Sequence, residues 1–256
     1  MSALALLLRL FDDLDAGLEH VERRWWGRFA ADSRFPRIHD ANYAIVETDA
    51  PDVTLDEVEG ALLPALERSG ASHVHVVVAG GDPGRTAMLD QLEATGVKFT
   101  FDTVMRFDGV APPGPTIEVR GVRTPDEALW RLQRRALPEF GIHDPIVIEQ
   151  LVAWQREVLA PAGKRWFTGH LGDEPSGFGS VHVVGAAAYV DDVVTLPEAR
   201  RQGVASSIVS QMVAEALAAG ARDMFLLADE PGPIKLYEGL GFAAVGEIVG
   251  ALRPRT

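Results

Sequence analysis

Val193-Val194-Thr195-Leu196-Pro197-Glu198-Ala199-Arg200-Arg201-Gln202-Gly203-Val204-Ala205-Ser206 runs from a β-branched segment, through a proline, into the start of an amphipathic helix. The helix is expected from about Val204 to Ala219. Val204, Ile208, Val209, Met212, Val213, Ala216 and Leu217 share one face, with Ser207, Ser210 and Glu215 opposite. Backbone N–H groups at a helix start have no intrahelical acceptor, and the positive end of the helix dipole lies there. Gly203 and Ala205 keep side chains out of the way, so a phosphate can approach the backbone, and Arg200 can add a charge-assisted contact. Residue types in this order suit a pyrophosphate.

Working upstream, Ala188 to Leu196 reads as a strand, after a hairpin of Arg165 to Gly172 and Gly177 to Val184 turning around Asp173 to Ser176. A further strand is expected at Thr116 to Val122. Thr124-Pro125-Asp126-Glu127 then reads as a capping box with proline at the first helical position, opening two helices separated near Pro138 to Pro145. Downstream, Met224 to Ala228 is a strand, followed by Leu236-Tyr237-Glu238-Gly239-Leu240-Gly241-Phe242.

The segment Asp108-Gly109-Val110-Ala111-Pro112-Pro113-Gly114-Pro115 excludes helix and favours an extended spacer. It suggests an N-terminal domain over 1–108, a linker over 109–115 and a C-terminal domain over 116–256. The N-terminal part is expected to be helical to about Arg28, with Trp25-Trp26 on that helix packing between the halves. A strand at Tyr43 to Glu47 follows, then a capping box at Thr54-Leu55-Asp56-Glu57 with Leu55, Val58, Leu62 and Leu66 on one helical face. A strand at Val74 to Val78, a helix near Thr86 to Ala94 and a strand at Lys98 to Arg106 complete it. Both halves thus read strand, helix, strand, short helix, strand. Gly70-Ala71-Ser72-His73 before Val74 parallels Gly220-Ala221-Arg222-Asp223 before Met224, which points to an internal duplication.

The C-terminal half resembles the GCN5-related N-acetyltransferase (GNAT) superfamily. Its signature [RQ]-x-x-G-x-[GA] is matched by Arg200, Gly203 and Ala205, and Leu236 to Phe242 is similar to its closing "LY…GF" segment. The N-terminal half is similar only as a degenerate copy, lacking an Arg-x-x-Gly-x-Gly equivalent in its Ala50 to Thr54 loop and a tyrosine opposite Tyr237. The resemblance implies an α+β fold of two GNAT-like domains, each a mixed twisted sheet flanked by helices, with the active sheet splayed beside the signature. It implies acetyl-CoA as co-substrate. The backbone of Val193, Val194 and Thr195 would hold the pantetheine arm, and Arg200, Arg201, Gln202, Gly203, Val204, Ala205 and Ser206 the pyrophosphate. It also implies direct acyl transfer to an amine, with Tyr237 supplying a proton to the departing thiolate.

Beside that resemblance stand the residues' own signals. Asp191 and Asp192 adjoin the strand expected to meet the cofactor, and strand alternation sends them to opposite faces, so one of them at most faces the acceptor. Asp192, directly before Val193, is the first candidate to orient an ammonium group, with Glu139 weaker. His182 fits a half-buried sheet position, and His143-Asp144 before Pro145 either lines the acceptor site between the first two helices or forms a loop turn. His73 and His75 share a strand face without a third ligand at metal spacing, so no metal is expected.

A net charge of −13 disfavours nucleic acid and anionic membrane surfaces and favours a cationic small-molecule acceptor. The absence of cysteine excludes a cysteinyl intermediate. No run reaches the roughly 18 apolar residues of a membrane helix, and a cytoplasmic protein, monomer or homodimer, is expected. The rival readings are a non-catalytic acyl-CoA-binding module and a protein or peptide N-acetyltransferase.

Overall fold

In a computed structural model that describes residues 2–255, the first apolar run forms helix α1 (Ala3–Asp15), which stops well short of Arg28. The chain instead turns into a hairpin of β1 (His20–Arg24) and β2 (Gly27–Ala31), with Trp25 and Trp26 in its turn. Gly27 supplies the reason. Its φ is +151°, and a Cβ there would lie 2.0 Å from the Ile45 carbonyl oxygen, an approach created by strand pairing. Trp26 is buried in a core cluster with Phe29, Val46 and Leu62, whereas Trp25 is exposed and donates from Nε1 to Glu57 at 2.6 Å.

The chain continues through β3 (Tyr43–Val46), α2 (Leu55–Ser69), β4 (His73–Val78), α3 (Gly84–Glu93) and β5 (Lys98–Phe107). Thr54 caps α2 as expected, its side chain accepting from the Glu57 amide at 3.2 Å, and Leu55, Val58, Leu62 and Leu66 are all buried.

Beyond the proline-rich segment come β6 (Glu118–Val122), α4 (Glu127–Ala136), a 3₁₀ turn at Leu137–Phe140, α5 (Pro145–Trp154) and a π turn at Gln155–Leu159. The cap of α4 is Asp126 rather than Thr124: its Oδ1 accepts from the amides of Ala128 and Leu129 at 3.0 and 3.1 Å. A carboxylate reaching two amides gives a better start than a hydroxyl ahead of a proline. Then follow β7 (Arg165–His170), β8 (Pro175–Val184), β9 (Ala187–Thr195), α6 (Val204–Ala218), β10 (Asp223–Ala228), α7 (Pro231–Glu238) and β11 (Phe242–Pro254).

These elements form two compact units, each with a mixed sheet flanked by helices. One comprises the chain up to Leu14 with Thr103–Gly246, and the other Asp15–Asp102 with the segment from Glu247 onwards. In the first, β9 lies parallel to β10 and antiparallel to β8, and β7 and β6 follow in antiparallel order. The other neighbour of β10 is the Thr103–Arg106 part of β5. In the second, β1, β2 and β3 are antiparallel in turn, β3 is parallel to β4, and β4 pairs with residues 249–254 of β11. Each sheet is therefore completed by a strand from the other half of the sequence.

Helix α6 packs its apolar face, including Ile208, Met212 and Val213, in one core cluster with Val181, Val190, Met224 and Leu226. Its expected polar face is not open. Ser207 and Ser210 are 2% and 4% exposed, and the Ser207 hydroxyl accepts from the Thr116 amide at 3.0 Å.

Candidate active site

The parallel ladder between β9 and β10 has three pairs, ending at Phe225↔Tyr189. β9 then runs on to Thr195 and β10 to Ala228, so the two strands part. The other edge of β9 stays bound to β8 as far as Gly177↔Thr195, which leaves the edge towards β10 open from Val190. A bulge accompanies the parting. From Phe178↔Val194 to Ser180↔Asp191, β9 uses three residues where β8 uses two, and Asp192 takes a φ of +54°.

The bulge overturns the alternation expected of Asp191 and Asp192. Both carboxylates reach the Nζ of Lys164, at 2.6 and 3.0 Å, so they lie on a common side. Lys164 directly precedes β7, with a side chain only 2% exposed. The Ser180 hydroxyl donates to Asp192 Oδ2 at 2.9 Å and to the Asp191 carbonyl at 3.2 Å. Burial opposes charge on Lys164, but the two carboxylates outweigh it and hold its pKa above the ordinary value. Burial, then the charge of Asp191, pushes the Asp192 carboxyl above the usual range, against the pull of Lys164 and Ser180. Lys164 escaped the sequence reading because nothing in the local pattern marks it, and its partners lie far along the chain.

At the signature, Gly203 precedes α6 with a φ of +80°, and a Cβ there would stand 2.8 Å from Thr116 Oγ1. The Ser207 amide returns to the Gly203 carbonyl at 3.0 Å, which leaves the amides of Val204, Ala205 and Ser206 in the unbonded first turn of the helix. Arg200 is extended and exposed, donating to Glu139 Oε2 at 2.6 Å. Glu139 thus sits beside the signature loop. Arg201 is exposed with a φ of +61°, and Gln202 Nε2 donates to the Glu198 carbonyl at 3.0 Å. The Ser206 hydroxyl donates to the Gly203 carbonyl at 3.0 Å.

Val194 is buried and Val193 packs on the core, so these residues turn their backbone rather than their side chains to the opening. Thr195 Oγ1 is buried without a hydrogen-bond partner among the described residues. An orphaned hydroxyl, a bare helix start and a missing Cβ fit the amide and phosphate groups of coenzyme A.

Tyr237, on α7, is 7% exposed, with its ring set edgewise to Phe242 at 6.3 Å. Its pKa is pushed up to about 12, chiefly by burial and then by the charges of Asp191 and Asp229. His182 is buried, its Nε2 at 2.8 Å from Asp13 Oδ2, and burial holds its pKa down. Asp144 caps α5 by accepting from the Ile146 amide at 2.8 Å, which accounts for the His143-Asp144 turn. Among the described residues, no group of three or more His, Asp or Glu is placed to hold a metal ion, and no helix is long and apolar enough to cross a membrane.

The second unit holds the corresponding strands in a closed state. If Val74 corresponds to Met224, as the repeat indicates, then Val76, Val77 and Val78 correspond to Leu226, Leu227 and Ala228. The former remain paired to Ala44, Ile45 and Val46, where the latter have left β9.

An opened parallel pair beside a glycine-led helix is the arrangement that the resemblance implies for the C-terminal half. Residues 127–242 match the acetyltransferase (GNAT) family. A GCN5-related N-acetyltransferase from Kribbella flavida is similar in structure at a TM-score of 0.64 and 13% identity, covering 100% of this chain and 96% of its own. A tandem GNAT protein from the clavulanic acid biosynthesis pathway is similar at 0.58 and 15% identity, covering 98% and 94%. A conserved protein of unknown function from Staphylococcus epidermidis is similar at 0.69 and 12% identity, covering 92% and 93%. No curated protein matches the sequence.

Proposed function

We propose that the protein is an acetyl-CoA-dependent N-acetyltransferase that acylates a small amine by direct transfer in a ternary complex. The observation carrying this reading is the opening of β9 from β10 next to the helix start at Gly203. The backbone of Val193 to Thr195 binds the pantetheine arm, and the α6 amides with Arg200 bind the pyrophosphate. Acetyl-CoA supplies an activated acyl carbonyl. Tyr237, a phenol that is protonated at neutral pH and whose pKa burial raises further, to about 12, holds a proton for the departing sulfur.

Asp192 orients the incoming ammonium group. What supports a cationic acceptor is local: Asp191 and Asp192 set two carboxylates against the single ammonium of Lys164. The repeat over 116–256 is assigned the catalysis and 1–108 a degenerate role, with 109–115 joining them. The closed ladder of β3 and β4 supports one cofactor site per chain.

The test is calorimetric titration with acetyl-CoA, followed by coenzyme A release across an amine panel. One site per chain and release with cationic amines are expected. Binding without release from any amine, peptides included, returns the protein to a binding module, and a preference for neutral alcohols removes the cationic acceptor.

A further inference from the structure

We propose that Lys164 is a positioning residue for the cofactor site, holding β9 in the bulged conformation that opens it from β10. The inference rests on the acetyl-CoA reading and goes beyond it, since the resemblance carries no role for this lysine.

Asp192 occupies the left-handed region, which is costlier for a residue with a Cβ than for glycine and is held more firmly where the surroundings favour it. Here the surroundings do so. The Lys164 ammonium binds one oxygen from each of two consecutive carboxylates, and the Ser180 hydroxyl binds Asp192 and the Asp191 carbonyl from the other strand. In an unbulged strand the two side chains would point to opposite faces and could not share one ammonium. Holding both therefore selects the bulge, and the bulge directly precedes Val193 to Thr195.

The closed unit supplies the contrast. By the repeat correspondence, Ile45 and Val46 stand where the open unit has Asp191 and Asp192. Their pairing with β2 runs through Arg28↔Ile45 and Gly27↔Val46 without a register shift, and their ladder to β4 is intact. The charged pair and the bulge occur together in the open unit and are both missing from the closed ladder.

The test uses the full chain and reads acetyl-CoA binding rather than turnover, because Asp192 is itself assigned to the acceptor. Lys164→Met should weaken acetyl-CoA by about tenfold or more. Adding Asp192→Gly to Lys164→Met should restore affinity to within roughly threefold of wild type, because glycine adopts the left-handed φ without a clamp. Adding Asp192→Asn instead removes the same charge but keeps the strained backbone, and should not restore binding. If Lys164→Met does not fold, the two double variants are compared with each other. Unchanged affinity in Lys164→Met, or equal affinity in the two double variants, overturns the inference. Hydrogen exchange of the ligand-free protein over the peptide containing Val193 to Thr195 should rise in Lys164→Met and fall again with Asp192→Gly. That readout separates the two claims: a wild type that binds no acetyl-CoA sinks the cofactor reading alone, while flat exchange sinks the clamp.

Discussion

At the scale of single residues, Gly203 serves two purposes that one substitution confounds. Its φ of +80° strains any side chain, and a Cβ meets Thr116 at 2.8 Å, so Gly203→Glu tests charge only beside Gly203→Ala. The alanine variant should cost about 1 to 3 kcal/mol of stability, the range for a residue forced into a left-handed position, and keep measurable acetyl-CoA binding. The glutamate variant should abolish binding, because its carboxylate faces the pyrophosphate. A folded Gly203→Glu protein with wild-type affinity would remove the phosphate site from this loop. Arg200→Ala should do less than either, since Glu139 already engages that guanidinium and the amides remain. Tyr237→Phe should lower kcat by roughly 10²- to 10⁴-fold with little change in acetyl-CoA affinity, as expected of a group acting in the transition state. Because the acid must carry its proton and its pKa is about 12, this residue should not bring turnover down through the mildly alkaline range. A loss under about threefold in Tyr237→Phe would leave the ring as packing beside Phe242.

At the scale of elements, what the sequence revealed depended on how local the cause was. The Thr54 cap, the α2 face and the start of α6 were legible because their hydrogen bonds and burial follow from residues within one or two turns. The Trp25-Trp26 turn was not, because Gly27 takes its conformation from a strand met later in the chain. The Asp191–Asp192 arrangement was hidden for the same reason, since alternation holds only until a bulge resets it and Lys164 lies at the entry to another strand. His73 and His75 both lie on β4, and their burial, which no local pattern reveals, carries a pH dependence. Each has a pKa near about 4, below the ordinary 6.5, chiefly from burial and then from the charge of His39. The unfolded chain therefore takes up two protons that the folded one refuses, and stability present above about 6.5 is lost as pH falls towards about 4. Asp15 works the other way: burial raises its pKa from 3.8 to about 6, against Arg28 and Tyr43, so the folded chain keeps a proton there that the unfolded one releases. Two histidines against one aspartate leave a net loss on acidification. His75→Leu should flatten the fall of Tm between those limits, and a variant profile parallel to wild type would refute this account.

At the scale of the whole chain, the exchange of strands between sequence halves sets what can fold alone. The proline-rich segment invites a cut that separates 1–108 from 116–256, and a duplicated sequence suggests that each piece carries its own core. The sheets argue otherwise. A 116–256 fragment lacks the four pairs from Thr103↔Ala228 to Arg106↔Phe225, and with them Met105 and Phe107, which are 0% and 3% exposed in the core cluster that includes Tyr237. The far edge of β10 would be bare, an unpaired edge prone to aggregation, and β10 is one wall of the proposed cofactor opening. The 1–108 fragment in turn lacks the six pairs between β4 and β11. We therefore expect 116–256 alone to show no near-UV circular dichroism of a packed core and no heat on titration with acetyl-CoA. Co-expression with 1–108 should restore both, because each piece carries the strand the other is missing. A 116–256 fragment that binds acetyl-CoA with full-chain affinity by itself would show that β10 needs no neighbour from the first half, and the exchanged strands would then be an addition to the catalytic sheet rather than part of it.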